Sequence, residues 1–94
     1  MKVKYLGPRI RATFTNNTIY EVVEIDKITG ALRIIDDSMD DYLYSPTEPR
    51  LLGVEYQGGR FEIVEDDAKN SLFEAIYGNS AKNNNMQAKF NIVV

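Results

Sequence analysis

The chain has 94 residues, 44% of them hydrophobic and 27% charged, and a formal net charge of −3. That length supports one domain with one modest core, burying roughly two-thirds of the surface the unfolded chain exposes. There is no cysteine and no histidine, which removes disulfides, thiolate metal sites, the best thiol nucleophile and the commonest general base. No apolar run reaches the roughly 20 residues that span a bilayer, and residues 1–8 lack the ~7–15 apolar residues of a secretory signal. A cytoplasmic protein with no membrane segment and no cofactor is expected.

In chain order, Lys2, Val3, Lys4, Tyr5 and Leu6 alternate polar and apolar side chains, as a half-buried strand does. Gly7 and Pro8 interrupt it, because proline removes a ladder donor and glycine permits a bend. Residues 11–15 resume an extended pattern, and Asn16, Asn17 and Thr18 suit a turn. A long irregular hairpin is expected, its return leg leading into a strand at residues 20–25. That strand is apolar on both faces, with Tyr20 and Val22 on one and Ile19, Val23 and Ile25 on the other. A central position, or a bulge near Glu24, accounts for this. Gly30 then supplies the positive φ of a tight hairpin. Leu32 and Ile34 share the inner face of the next strand, an acidic corner follows at residues 36–41, and Tyr42, Leu43 and Tyr44 form a short third strand. So short a meander must curl to bury both ends.

Pro46 and Pro49 end pairing after Tyr44. Residues 51–56 are a further extended piece or a loop. Gly58 and Gly59 are turn residues, and Phe61 and Ile63 share one face of another strand. A hairpin pairing residues 54–56 with 61–63 across the glycines is expected. The period then changes: Ala68, Leu72, Ala75 and Ile76 recur at helical spacing, with Asp67 suited to the N-cap and Gly78 to a left-handed C-terminal position. The expected organisation is a β-barrel over residues 1–66, an appended helix over 67–78 and an Asn-rich flexible tail over 79–94. The tail closes on the strand-forming residues 90–94, which suit addition to a sheet edge of this molecule or of a neighbour. A helix this short needs docking, first on the open end of the barrel and otherwise on another protein, so helix and tail strand are also the two routes to a homo-oligomer.

The succession Tyr20-Glu21-Val22, Arg33-Ile34-Ile35-Asp36-Asp37-Ser38, Asp41-Tyr42-Leu43-Tyr44 and Phe61-Glu62-Ile63-Val64 resembles a group of small uncharacterised bacterial and phage-type proteins with SH3-like barrels. The likeness covers about residues 3–65. It implies a small SH3-like barrel and no activity. With the helix, which lies outside the likeness and is read from its spacing, the expected fold is mainly β, a small SH3-like barrel of about five strands with one short C-terminal α-helix. Met39 stands where glycine is usual in the acidic turn, and the connection over residues 45–59 is longer than in the pattern.

Chemistry finds few footholds. Ser38, Ser45, Ser71 and Ser80 have no activating partner in sequence, and no glycine-rich phosphate loop is present. The pairs Asp36/Asp37 and Asp40/Asp41 invite a two-carboxylate mechanism, but that needs a cleft, and a small barrel is filled by its own side chains. Calcium loops place oxygens at alternate positions around a glycine, a spacing the corner lacks. Asn16-Asn17-Thr18 matches the glycosylation triplet, but with no secretory signal expected it reads as a turn. An enzyme is not expected.

Charge is unevenly spread. Residues 1–35 hold six basic side chains against three acidic ones, while residues 36–67 hold ten acidic side chains against Arg50 and Arg60. The expected function is therefore a protein-interaction module, with Tyr42 and Tyr44 beside Asp37, Asp40 and Asp41 meeting a basic or aromatic surface, and with Tyr56 and Tyr5 as further groove residues. The alternative is nucleic-acid binding through the basic first arm, Lys2, Lys4, Arg9 and Arg11. The acidic middle segment would repel a phosphate backbone, which ranks this second.

Overall fold

The meander expected at residues 20–44 forms, and it makes up three successive strands from one edge of the sheet to its middle. The computed structural model describes residues 1–78; the expected flexible tail and terminal strand at 90–94 lie outside the described residues. Five strands, β1 (Lys2–Leu6), β2 (Thr18–Ile25), β3 (Leu32–Ile35), β4 (Asp41–Tyr44) and β5 (Arg60–Glu65), precede one short helix, α1 (Ser71–Phe73), which continues as a π-helical turn over Glu74–Gly78. The protein is mainly β, as expected. The strands make one sheet in the order β4-β3-β2-β1-β5, every pairing antiparallel.

Alternation decides which side chains turn inward. Val3 and Tyr5 on β1, Tyr20 and Val22 on β2, Leu32 and Ile34 on β3, Tyr44 on β4 and Phe61 on β5 are all buried in one cluster. A bulge between Val22 and Glu24, where sequence placed one, bends β2, and a second shifts the β1–β5 register between Lys2 and Val3. The expected long arm over residues 11–15 is instead a tight turn: Ile10 and Phe14 exchange backbone bonds of 2.9 Å in both directions, with Ala12 at φ 60°. The turn drives Phe14 into the core. Its ring centroid lies 5.1 Å from Tyr5 and Tyr20, 4.7 Å from Tyr44 and 5.4 Å from Phe61. The outermost strands of the sheet, β4 and β5, therefore converge on one aromatic ring.

The expected barrel does not close, which would need β4 and β5 backbones about 4.8 Å apart. No ladder joins them, and the sheet is curled but open.

Two further expectations are corrected. Residues 54–56 do not pair with β5. The segment is a loop, turned at Leu51–Val54 by a 3.0 Å backbone bond, and β5 pairs with β1 instead. The reason is the Tyr5 ring, which packs against bare Gly59: a Cβ there would collide with the phenol oxygen. The glycine pair thus serves a long-range contact rather than a local hairpin. The helix also starts later than Asp67. Asn70 occupies the N-cap in the left-handed region, at φ 59°, with no side-chain bond. Asp67 accepts from Ser71 N at 2.9 Å and Asp66 from Leu72 N and Phe73 N at 2.9 and 3.0 Å, so two carboxylates ahead of the helix satisfy its free amides. Leu72 and Ile76 join the core, while Gly78, buried, does not take the left-handed conformation.

Replacing Phe14 by alanine removes contacts to four elements at once. Phe14→Ala is expected to cost about 3–5 kcal/mol, measured as a lowered urea midpoint; a loss below about 1 kcal/mol would contradict this role for the ring.

Candidate functional site

The acidic corner is a hairpin turn closed by Met39 N donating to Asp36 O at 2.9 Å and Asp36 N donating to Asp40 O at 3.1 Å. Met39 sits at φ 73°, a conformation that strains any side chain with a Cβ, and it is 79% exposed. Glycine takes this φ without such strain.

The corner's first two carboxylates are structural. Buried Asp36 accepts the Tyr44 hydroxyl at 2.5 Å, Ser38 N at 2.9 Å and the Ser38 hydroxyl at 2.5 Å. Asp37 accepts the Tyr20 hydroxyl at 2.8 Å and the Thr15 hydroxyl at 2.9 Å, and its amide donates to Thr13 O at 2.9 Å. The two aspartates fasten the β3–β4 turn to the loop that carries Phe14. Burial pushes the Tyr44 phenol far above its ordinary pKa, with the neighbouring Asp36 carboxylate adding to it. Burial likewise raises Tyr20 and Tyr5.

The five residues expected to meet a partner thus separate. Tyr42 and Tyr44 do share a face, opposite Ile34 and Leu32 on β3. Tyr44 is buried, however, whereas Tyr42, nearer the turn, is 53% exposed. Asp40 and Asp41 remain exposed, Asp41 lying 3.9 Å from Arg33. Tyr5 is buried and Tyr56 turns its hydroxyl onto Gly59 O at 2.6 Å, so neither extends the surface of Tyr42.

What does extend it was not expected from sequence. The connection after β4 is anchored by Pro49, fully buried, and then projects Leu51, Leu52 and Val54 outward, Leu52 without any cover. Between this connection and β4 lies a groove of about 620 Å³ whose walls include Tyr42, Leu43, Tyr44, Leu51 and Leu52, with Asp36 and Thr13 toward its floor. β4 is a sheet edge, so the groove runs beside unpaired strand backbone.

The basic arm is divided as well. Lys2 stands opposite Glu21 and Glu65 in register, its ammonium 3.7 Å from Glu65, and Lys4 stands opposite Glu62. Arg9 and Arg11 lie in the β1–β2 loop, where with Arg50 and Leu51 they line a smaller cleft of about 240 Å³ on the other side of the connection. The structure does not join the lysines and arginines in one patch; it joins Arg9 and Arg11 to Arg50. Among the described residues no group of acidic side chains is arranged to hold a metal ion, and no helix is long and apolar enough to cross a membrane.

Two outcomes follow from the corner. Met39→Gly relieves the left-handed strain and is expected to stabilise by about 0.5–1 kcal/mol, after glycine's own entropic cost, read from the urea midpoint. For the phenols the folded pKa lies above the unfolded value of about 10. Their contribution is thus complete below pH 10 and is lost as pH rises through the folded values. Absorbance at 295 nm and circular dichroism should show Tyr5, Tyr20 and Tyr44 ionising together with unfolding, above pH 10; ionisation of all six tyrosines near pH 10 with the fold intact would contradict the burial.

No family model matches the sequence, and neither a curated protein nor a solved structure matches it.

Proposed function

We propose that this chain is a small, non-enzymatic protein-interaction module of SH3-like type, and that it engages its partner in the groove between β4 and the connection that follows. The observation that carries this is the gathering of Tyr42, Leu43, Leu51 and Leu52, each at least one-third exposed, around a single concave surface. Scattered exposed apolar residues are ordinary, but apolar side chains gathered on one concave surface are a common mark of binding sites. Tyrosine at the centre suits this, because it gives a large rigid contact area and keeps a hydroxyl for water.

The strand order supports the SH3-like description, since a meander flanked by a last strand that returns to the first is how such small sheets curl. A nucleic-acid reading has less support. Lys2 faces glutamates on both neighbouring strands and Lys4 faces one on β5, which cancels much of the field a phosphate backbone would meet.

Tyr42→Ala combined with Leu52→Asp removes the aromatic wall and places a charge on the opposite one. Neither residue belongs to the core, so the thermal midpoint is expected to hold while capture of the partner from native lysate falls at least tenfold. An unchanged set of captured proteins would sink the reading.

A further inference from the structure

We infer that the groove's ligand is an extended peptide segment that places an apolar or aromatic side chain beside Tyr42 and an acidic side chain beside Arg9, Arg11 and Arg50. The inference rests on the interaction reading above and adds the chemistry of the partner. Its first support is charge. The chain is acidic overall, yet three arginines line one cleft. Like charges brought together repel unless something neutralises them. Glu55 lines the same cleft, but it makes no ion pair within 4 Å of any of the three, and Arg50 reaches only Glu48, at 3.7 Å. Arg9 and Arg11 have no ion-pair partner among the described residues. Guanidinium groups suit a carboxylate, which takes two parallel N–H bonds from one arginine.

The second support is continuity. Arg50 and Leu51 line both the cleft and the Tyr42 groove, so one ligand can touch both without leaving the surface. The third is the free edge of β4. A segment in extended conformation lying along it would gain main-chain hydrogen bonds there, and its alternate side chains would turn toward the groove walls. An acidic segment also opposes the expectation drawn from sequence, in which the aspartates of the corner met a basic surface. Asp36 and Asp37 are occupied by tyrosine hydroxyls, and the arginines are not occupied by anything comparable.

The test is a selection of random dodecapeptides displayed on phage against the full chain, followed by fluorescence polarisation of the enriched peptides. The expected consensus pairs an aromatic or branched aliphatic residue with one or two acidic residues. Tyr42→Ala should weaken those peptides at least tenfold. Arg9→Glu with Arg11→Glu should weaken them at least tenfold and, in a repeat selection, favour basic peptides instead. Both arginines are exposed loop residues, and an unchanged thermal midpoint confirms that the variant folds. Enriched peptides that need Tyr42 but show no acidic preference, and are indifferent to the arginine variant, would overturn the inference and leave the interaction reading standing. Enrichment of basic peptides by the unaltered chain, or no enrichment, would overturn it too. So would tight, salt-sensitive binding of a 20-nucleotide single-stranded oligonucleotide that the arginine variant abolishes, since the cleft would then be a phosphate site.

Discussion

The ring of Phe14 is the constraint on which the rest of the molecule depends. It is delivered by a loop, yet it touches aromatic side chains from β1, β2, β4 and β5. Three of those four neighbours are tyrosines, and each carries a hydroxyl that cannot be buried without a partner. The solutions are local and specific. Tyr5 donates to Pro8 O, Tyr20 to Asp37 and Tyr44 to Asp36. An aromatic core with phenols at its margin therefore demands acceptors around it, and the acidic corner provides two of the three. The corner is a consequence of how this core was built.

The same arrangement decides the backbone of the β1–β2 loop. To point Phe14 inward the chain closes a turn at Ile10, places Ala12 and Asn17 in the left-handed region and lets Asn17 N donate to Tyr5 O at 2.7 Å. Asn16 turns its side-chain oxygen back to Gly7 N at 3.0 Å. Asp37 then bonds to Thr15 and Thr13 of the same loop. Loop and corner hold each other, so the strained positions are imposed by bonds made at several points rather than by local preference.

What was legible in the sequence was what repeats locally. Val3 with Tyr5, Tyr20 with Val22, Leu32 with Ile34 and Phe61 with Ile63 announce their strands, and Gly30 announces its turn, because period and turn chemistry act over a few residues. Phe14 was hidden by the same rule: Arg11 to Thr15 mimics an alternating strand, and only the distant rings show that it is a turn. The partner of β5 was misread because two adjacent glycines suggest a hairpin, whereas Gly59 is bare to admit Tyr5, more than fifty positions away in the chain. The helix start was displaced because Asp66 and Asp67 cap from outside the helix instead of from its N-cap position. At the candidate site alternation puts Tyr42 and Tyr44 on one face but does not report how deep each lies, and Tyr44 is buried where Tyr42 is exposed.

Charge was the least legible quantity of all. Counted along the chain, the segment that holds β4 is the most acidic part of the protein, and a basic partner is the natural deduction. Folding rearranges that balance. Asp36 and Asp37 direct oxygens at phenols, Lys2 stands opposite glutamates on β2 and β5, and Lys4 stands opposite one on β5. Among the described residues, Arg9 and Arg11, brought by the loop that carries Phe14, are left without an ion pair beside Arg50, which the connection anchored by Pro49 brings 3.7 Å from Glu48. The ring that shapes the core thus also places two of the three cations of the cleft, next to a groove that the local sequence marks as acidic. A partner meets the charges left over after folding, and in the proposed peptide reading those of the cleft are positive.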